Sequence, residues 1–324
     1  MIEINKGKIK TWSTIGQRAT FGLVAYEIAN KVKDLMILTC DVSTSAGLDR
    51  FRKKFPEKFL ELGISEQNMI GVASGLSNES YKVITTSFAP FQTMRCCEQI
   101  KVNLGYMKQK ISMVGLASGL VLGPLGYTHC CIEDIGVLRS IPNLTIISPA
   151  DSFETVKATE ASIKHDQSVY IRLTGGSNNP MVYESDYKFE IGKAKMLIDN
   201  GEILIISNGM MVKKSIDIAN YFKERGVNIS VINMHTIKPL DHDLLDKIIS
   251  KYKYCFSLEE HNIFGGLGSA LSEYFASKDH KIKFKSIGIE DKYIKSGSYN
   301  YLLKEYRLDN ESIINTIKKI ISHE

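Results

Sequence analysis

The sequence predicts an α/β protein built from two doubly wound domains of unequal size. Short runs rich in β-branched residues alternate with segments of helical period, and one turn-rich stretch interrupts that alternation. Such alternation is typical of βα units, which form mostly parallel sheets covered by helices on both faces. The chain of 324 residues is also long enough for about two domains of common size.

The first alternation predicts a sheet of buried strands. The predicted strands are MILTC at 36–40, KVITTS at 82–87, ISMVGL at 111–116, LTIIS at 144–148 and VYIRL at 169–173. Helical periods lie between them near 15–32, 66–77, 92–105, 132–140 and 152–164. Because helices follow strands in this order, we expect most neighbouring strands to be parallel.

A stretch with turn chemistry and no helical period predicts a linker, which we place at 177–190. It separates a first domain at 1–176 from a second domain at 191–324. The second domain repeats the alternation with the strands EILIIS, NISVIN, CFSLEE and IKFKSIGI, helices over 212–225 and 241–250, a helix after GGLG and two C-terminal helices. This predicts a smaller α/β domain, also with a parallel sheet.

Composition and charge argue against several function classes. The net charge of +5 is mild and no long basic run occurs, so a nucleic-acid role is not indicated. The longest apolar stretch, Leu116 to Leu122, is far shorter than the roughly 20 residues of a membrane helix. The six cysteines match no disulfide framework or metal-binding spacing, and MIEINKGKIK lacks the apolar core of a signal peptide. We therefore expect a cytoplasmic protein without a metal site of its own.

Several polar and aromatic residues follow the carboxyl ends of predicted strands, where open α/β sheets bind ligands. The candidates are Asp41, Ser45, Phe88, Phe91, His129 and Arg172, with Glu66 at a helix start in the same half. Each also has a structural explanation. Phenylalanines are often core residues, Arg172 could belong to an ion pair, and Glu66 could join Ser65 in capping its helix instead of doing acid–base chemistry.

Five ordered segments resemble the C-terminal half of transketolases. They are KKFPEKFLELGISEQNMIGVASGLS, TTSFAPFQTMRCCEQIK, GYTHCCIEDIGVLRSIPNLTIISPAD, YIRL and NMHTIKPLD. The sequence is most similar to the separately encoded C-terminal subunit of split transketolases. The resemblance implies a pyrimidine-binding domain followed by the transketolase C-terminal domain.

The resemblance also implies thiamine diphosphate as the cofactor. It implies that Glu66 hydrogen-bonds N1′ of the aminopyrimidine and acts as its proton switch, so that the 4′-nitrogen can deprotonate the thiazolium ring. Phe91 matches the ring that stacks on the aminopyrimidine, and Phe88 matches a second aromatic residue nearby. Asp41 is expected to be a further cofactor contact.

Substrate contacts are implied for four residues. His129 matches a Thr-His pair that reaches the substrate, where it is expected to stabilise developing charge or shuttle a proton. Arg172 matches an arginine that binds the sugar phosphate. Arg18 and Ser45 match further phosphate or substrate contacts.

Nothing in the sequence resembles the other half of these enzymes, whose GDG…N segment binds the diphosphate and the divalent metal. The resemblance therefore implies an N-terminal partner subunit that carries this half together with Mg²⁺ or Ca²⁺. It also implies an α2β2 assembly in which copies of this chain pair, and a chain that is inactive alone. The expected reaction transfers a two-carbon ketol unit from a ketose phosphate or a modified sugar to an aldose.

The loop before His129 departs from the family pattern. Pro124 and Leu125 stand where the family has glutamate and aspartate, and Ala117 replaces an upstream histidine. Leucine cannot hydrogen-bond a sugar hydroxyl, so both ordinary ketose phosphates and a specialised sugar stay open as substrates. Two other functions stay open as well: a β subunit of a 2-oxoacid dehydrogenase or deoxyxylulose-phosphate synthase-like enzyme, and a non-catalytic scaffold subunit.

Overall fold

The structure, a computed structural model, describes residues 2–279 and 281–322, which form two sheets with helices on both faces of each. The strands in chain order are β1 (Leu35–Thr39), β2 (Phe59–Glu61), β3 (Lys82–Phe88), β4 (Ile111–Leu116), β5 (Leu144–Ile147), β6 (Ser168–Arg172), β7 (Lys195–Ile198), β8 (Ile203–Ser207), β9 (Ile229–Asn233), β10 (Thr236–Lys238), β11 (Tyr254–Asn262) and β12 (Lys283–Ile289).

Helices fill the connections between these strands. They are α1 (Lys6–Ala29), α2 (Asp49–Lys54), α3 (Glu66–Asn78), α4 (Ala89–Gln92), α5 (Cys97–Gln99), α6 (Asp134–Arg139), α7 (Ser152–Lys164), α8 (Met211–Lys223), α9 (His242–Ile248), α10 (Leu267–Ala276), α11 (Tyr299–Glu305) and α12 (Asn310–Ile321). Within the described residues, no helix combines the length and apolarity needed to cross a membrane.

The first sheet has seven strands in the order β10-β5-β6-β4-β3-β1-β2. Strands β1 to β6 pair in parallel, as the alternation predicted. Their carboxyl ends therefore lie along one edge, where the predicted site residues begin. Buried side chains from α1 and α7 form the core on one face of this sheet, and those from α3 and α6 form the core on the other.

The second sheet has five strands in the order β12-β11-β8-β9-β7. Four of them are parallel neighbours, and β7 is an antiparallel edge strand beside β9. The α/β class predicted from the sequence is thus confirmed for both sheets. The antiparallel β7 was missed because its four residues are only half-buried and lack the apolar run of a central strand.

The two halves of the chain share one sheet. Strand β10 lies within the predicted second domain, yet it pairs antiparallel with β5 at the edge of the first sheet. The predicted linker is also anchored, because the Asp151 carboxylate accepts hydrogen bonds from the backbone N–H groups of Val182 and Tyr183. The domain division itself, at 1–176, 177–190 and 191–324, stays a prediction.

Two predicted helices have different boundaries in the structure. Helix α1 begins nine residues before the predicted position 15 and is kinked at Gly16, whose φ is 83°. A Cβ atom on Gly16 would lie 2.0 Å from the carbonyl oxygen of Gly176, so only glycine permits this approach.

The predicted helix over 92–105 is broken into α4, α5 and a π-helical stretch at 100–106. Buried Gln92 causes the first interruption by bonding back to the preceding strand. Its Nε2 donates to the Thr85 carbonyl at 3.0 Å, and its Oε1 accepts from the Ser87 N–H at 2.6 Å. This turn fixes Phe88 and Phe91 at the carboxyl end of β3.

Candidate active site

Glu66 is the first residue of α3 and is buried, with 3% of its side chain exposed. The predicted capping role of Ser65 is wrong, because its hydroxyl makes no capping bond and instead donates to the Leu62 carbonyl at 2.7 Å. Oε2 of Glu66 accepts a 2.8 Å hydrogen bond from Nη1 of Arg95. A buried carboxylate thus faces the sheet edge with a cation as its partner.

Three half-buried rings form a wall beside this carboxylate. The ring centres of Phe88 and Phe91 are 6.3 Å apart, and His129 lies 6.2 Å from the first and 5.4 Å from the second. All three pairs have edge-to-face geometry, which aromatic rings prefer over face-to-face contact. The structure therefore brings together Phe88, Phe91 and His129, as the sequence predicted.

The loop that carries His129 is braced by the second half of the chain. The Gly297 N–H donates to the Gly123 carbonyl at 3.1 Å, and the rings of Tyr127 and Tyr293 lie 4.8 Å apart. Within the loop, Nδ1 of His129 lies 3.1 Å from the Thr128 hydroxyl. The second half of the chain therefore holds the loop in position against the aromatic wall.

Leu125 and Ala117 occupy different environments in this region. Leu125 is 58% exposed, whereas Ala117 is fully buried and adopts a positive φ of 54°. Leu125 therefore presents an apolar surface to solvent at the position where the family has aspartate.

Asp41, Ser45 and Arg18 lie next to this region. Asp41 is exposed after β1, and its N–H donates to Oε1 of Glu61, which also accepts from the Gly63 N–H before α3. Ser45 and Arg18 are half-buried where the loop after β1 packs against α1. Burial lowers the pKa of the Arg18 guanidinium. Contacts in the structure thus connect Asp41 to the Glu66 segment, while Ser45 and Arg18 form a neighbouring surface.

Arg172 lies in a different environment from the one its predicted role requires. It is buried with 1% exposure, and its Nε donates to both carboxylate oxygens of Asp134 at 3.0 and 2.8 Å. Its Nη2 donates to the carbonyl oxygens of Cys131 and Glu260 at 3.2 and 2.9 Å. This environment does not fit the predicted phosphate contact, because the guanidinium already has partners and does not reach solvent. The structure shows the alternative, one half of a buried ion pair.

Two features of the site were not predicted from the sequence. The first is Arg95, whose guanidinium carbon lies 4.2 Å from the centre of the Phe91 ring while it pairs with Glu66. Its position four residues after Phe91 is the available signal. The second is the buried group around Asp134, for which sequence spacing gives no signal because its members lie up to 127 positions apart.

The cysteines near the site are not poised as nucleophiles. Burial raises the pKa of Cys96 and of Cys130 to about 12, and the pKa of Cys40 to about 11. Thiols with such pKa values stay protonated at neutral pH and are weak nucleophiles. Among residues 2–279 and 281–322, no group of three or more His, Cys, Asp or Glu side chains is arranged to hold a metal ion.

The fold and the site define a two-part α/β protein with a buried carboxylate and an aromatic wall at one sheet edge. Residues 13–179 match the transketolase pyrimidine-binding domain, and residues 192–313 match the transketolase C-terminal domain. The chain belongs to the transketolase family. This confirms the family predicted from the sequence.

Relatives of nearly the same length include components of split transketolases. One of the two chains of the apulose-4-phosphate transketolase of Phocaeicola vulgatus is 32% identical over 95% of this chain and 98% of its own length. A solved split-gene transketolase, described as an inactive β4 tetramer, is 30% identical with a TM-score of 0.87, covering 94% of this chain and 98% of that one. The 1-deoxy-D-xylulose-5-phosphate synthase of Caldanaerobacter subterraneus subsp. tengcongensis is 32% identical over 97% of this chain but 50% of its own length.

Proposed function

We propose that this chain is the C-terminal subunit of a two-subunit transketolase, which transfers a two-carbon ketol unit from a ketose to an aldose with thiamine diphosphate. The observation that carries the proposal is the buried Glu66 carboxylate beside the Phe91 ring. A carboxylate that meets the edge of a flat heterocycle, and a ring that covers its face, fit an aminopyrimidine. Full-length similarity to a component of the apulose-4-phosphate transketolase supports the same conclusion.

Each residue of the site has a role in this proposal. Glu66 would hold the aminopyrimidine and exchange a proton with it, Phe91 would stack on it, and Phe88 and Asp41 would complete its surroundings. When bound, thiamine diphosphate supplies the carbon nucleophile and the electron sink for cleaving a carbon–carbon bond. His129 would stabilise negative charge on the substrate oxygen and return a proton to it.

The surface formed by Arg18 and Ser45 is the proposed contact for the sugar substrate and its anionic group. Arg172 is withdrawn from this role because its guanidinium is buried in the ion pair with Asp134. The exposed Leu125 removes one hydroxyl contact, which favours a sugar that differs from the pentose phosphates at that position.

We also propose that the diphosphate and its Mg²⁺ or Ca²⁺ are held by an N-terminal partner subunit in an α2β2 assembly. The structure of a split-gene relative described as an inactive β4 tetramer supports both self-pairing of such chains and their dependence on a partner. The described cysteines are all free thiols, in keeping with the cytoplasm as its location.

Reconstitution tests the proposal. The purified chain is assayed with thiamine diphosphate, Mg²⁺, and pairs of ketose and aldose phosphates or modified sugars, with and without the N-terminal subunit encoded beside it. We expect turnover only with both subunits, and only as two-carbon transfer between sugars. Efficient turnover by this chain alone would contradict the partner requirement.

The half-length match to 1-deoxy-D-xylulose-5-phosphate synthase supports a second candidate function. The same reconstituted complex is therefore assayed with pyruvate and an aldose phosphate. Release of carbon dioxide from pyruvate, without transfer between sugars, would replace the transketolase proposal with the synthase-like one.

A further inference from the structure

The guanidinium of Arg95 fills the corner between the Glu66 carboxylate and the Phe91 ring. Its Nη1 donates a 2.8 Å hydrogen bond to Oε2 of Glu66, and its central carbon lies 4.2 Å from the Phe91 ring centre. One flat cation therefore makes both contacts that the proposed function assigns to the aminopyrimidine. A guanidinium and an aminopyrimidine both donate N–H groups in their own plane and both stack on aromatic faces, so they can satisfy the same two partners.

The side chain of Arg95 can leave this corner while its backbone stays in place. Its carbonyl accepts a 3.1 Å hydrogen bond from Nε2 of Gln67, and its N–H donates to the Pro90 carbonyl at 3.3 Å. The side chain itself is 41% exposed, and within the described part of the chain its guanidinium has Glu66 as its hydrogen-bond acceptor. Rotation about side-chain bonds can therefore move the guanidinium into solvent.

We propose that Arg95 occupies the aminopyrimidine position in the cofactor-free chain and that thiamine diphosphate displaces it on binding. This inference rests on the proposed function. The guanidinium gives the buried Glu66 carboxylate a cationic partner when no cofactor is present, and it competes with the cofactor for the same two contacts. Because an ion pair with one half-exposed partner is weak, this competition lowers cofactor affinity by about tenfold and does not prevent binding.

Binding to the full-length chain tests the proposal without any activity measurement. The probes are thiamine diphosphate with Mg²⁺ and the fragment 4-amino-5-hydroxymethyl-2-methylpyrimidine, titrated by calorimetry and by ligand-detected NMR. Arg95→Gln is expected to bind the fragment about tenfold more tightly than the unmodified chain.

Arg225→Gln is the matched control. Arg225 lies 3.7 Å above the Tyr221 ring and 3.6 Å from the Glu224 carboxylate, so it has the same kinds of contact in the second half of the chain. Its replacement is expected to leave fragment binding unchanged.

Phe91→Ala separates failure of this inference from failure of the proposed function. If Phe91→Ala weakens fragment binding and Arg95→Gln does not strengthen it, Arg95 does not compete and the inference is overturned alone. If neither variant changes binding, or if no chain binds the fragment, the aminopyrimidine does not bind in this corner and both proposals are overturned.

The reactivity of Arg95 towards phenylglyoxal gives a second measurement on the unmodified chain. Modification of each arginine is followed by peptide mass spectrometry with and without a saturating concentration of the fragment. Displacement predicts that Arg95 is modified faster when the fragment is bound, while Arg225 is modified at the same rate. Protection of Arg95 by the fragment would overturn the proposal, because the guanidinium would then be covered and not released.

Discussion

Two arginine–carboxylate pairs lie near the same sheet edge and have opposite characters. In the pair of Arg95 and Glu66, the arginine is 41% exposed and the carboxylate 3%. In the pair of Arg172 and Asp134, the exposures are 1% and 0%, and the Tyr170 hydroxyl also donates to Asp134 at 2.7 Å. The same two chemical groups therefore form a displaceable contact in one place and a permanent structural contact in the other.

The difference comes from what surrounds each arginine. Arg172 donates to carbonyl oxygens on both halves of the chain, so removing it leaves several buried acceptors unsatisfied. Arg95 makes a single hydrogen bond to a carboxylate and stacks on one ring. The comparison teaches that burial of the cation, and not the presence of the pair, separates a binding site from an element of stability.

The largest expected effect is on turnover at the Glu66 corner. Glu66→Gln in the reconstituted complex is expected to lower turnover by about 10³- to 10⁴-fold, because an amide cannot exchange a proton with the cofactor. Assembly with the partner should be unchanged, as measured by size-exclusion chromatography with light scattering. The rate itself is measured from the product formed at saturating sugar concentrations.

Glu79→Gln is the control, since it replaces an exposed carboxylate at the other end of α3. It is expected to keep full activity. Unchanged turnover in Glu66→Gln would exclude the proton-transfer role and favour a scaffold subunit.

The next effect is on stability at the Arg172 corner. Arg172→Met is expected to lower the free energy of unfolding by about 3–5 kcal/mol, because the buried Asp134 carboxylate loses its cation. Urea denaturation monitored by circular dichroism measures this change. Arg95→Met is the matched variant and should cost about 1 kcal/mol or less, since its pair is partly exposed. Equal losses for the two variants would refute the distinction drawn between the pairs.

The contrast between the corners also explains how far the sequence could predict this protein. The α/β class, the family and the cluster of Phe88, Phe91 and His129 follow from local patterns, because strand ends of a parallel sheet lie on one edge. The environment of Arg172 does not, since Asp134, Cys131 and Glu260 reach it from distant positions. Strand β10 was missed for a related reason. It is three residues long, and its partner strand lies in the other half of the chain.

The Arg172 corner is also expected to depend on pH through His261. This histidine is fully buried 3.9 Å from Asp134, near Arg172 and Glu259, and accepts a hydrogen bond at Nε2 from the Gly136 N–H at 3.3 Å. Burial lowers its pKa from 6.5 to about 4. Below pH 6.5 the unfolded chain binds a proton that the folded chain does not, so stability is lost as the pH falls towards 4. We expect this loss to reach about 3 kcal/mol.

Equilibrium unfolding between pH 7 and pH 4 measures this dependence. His261→Asn should show a shallower fall in unfolding free energy over this range than the unmodified chain. His242→Asn, which replaces an exposed histidine, should keep the original slope. Identical slopes for all three chains would show that His261 titrates normally and that the corner is not closed to protons.

The smallest expected effect tests whether the second half of the chain supports the Glu66 corner at all. Tyr293 is exposed, but its ring lies 4.8 Å from that of Tyr127 in the loop that carries His129. Tyr293→Ala removes an aromatic pair worth about 1 kcal/mol, so it should lower turnover about three- to fivefold by loosening the loop. Tyr301→Ala, a second exposed tyrosine whose ring is not paired with Tyr127, is the control. Because Tyr293 contributes little to the core, unfolding free energy should be unchanged while turnover falls. A loss of stability without a loss of turnover would instead make the contact part of the fold, like the pair of Arg172 and Asp134.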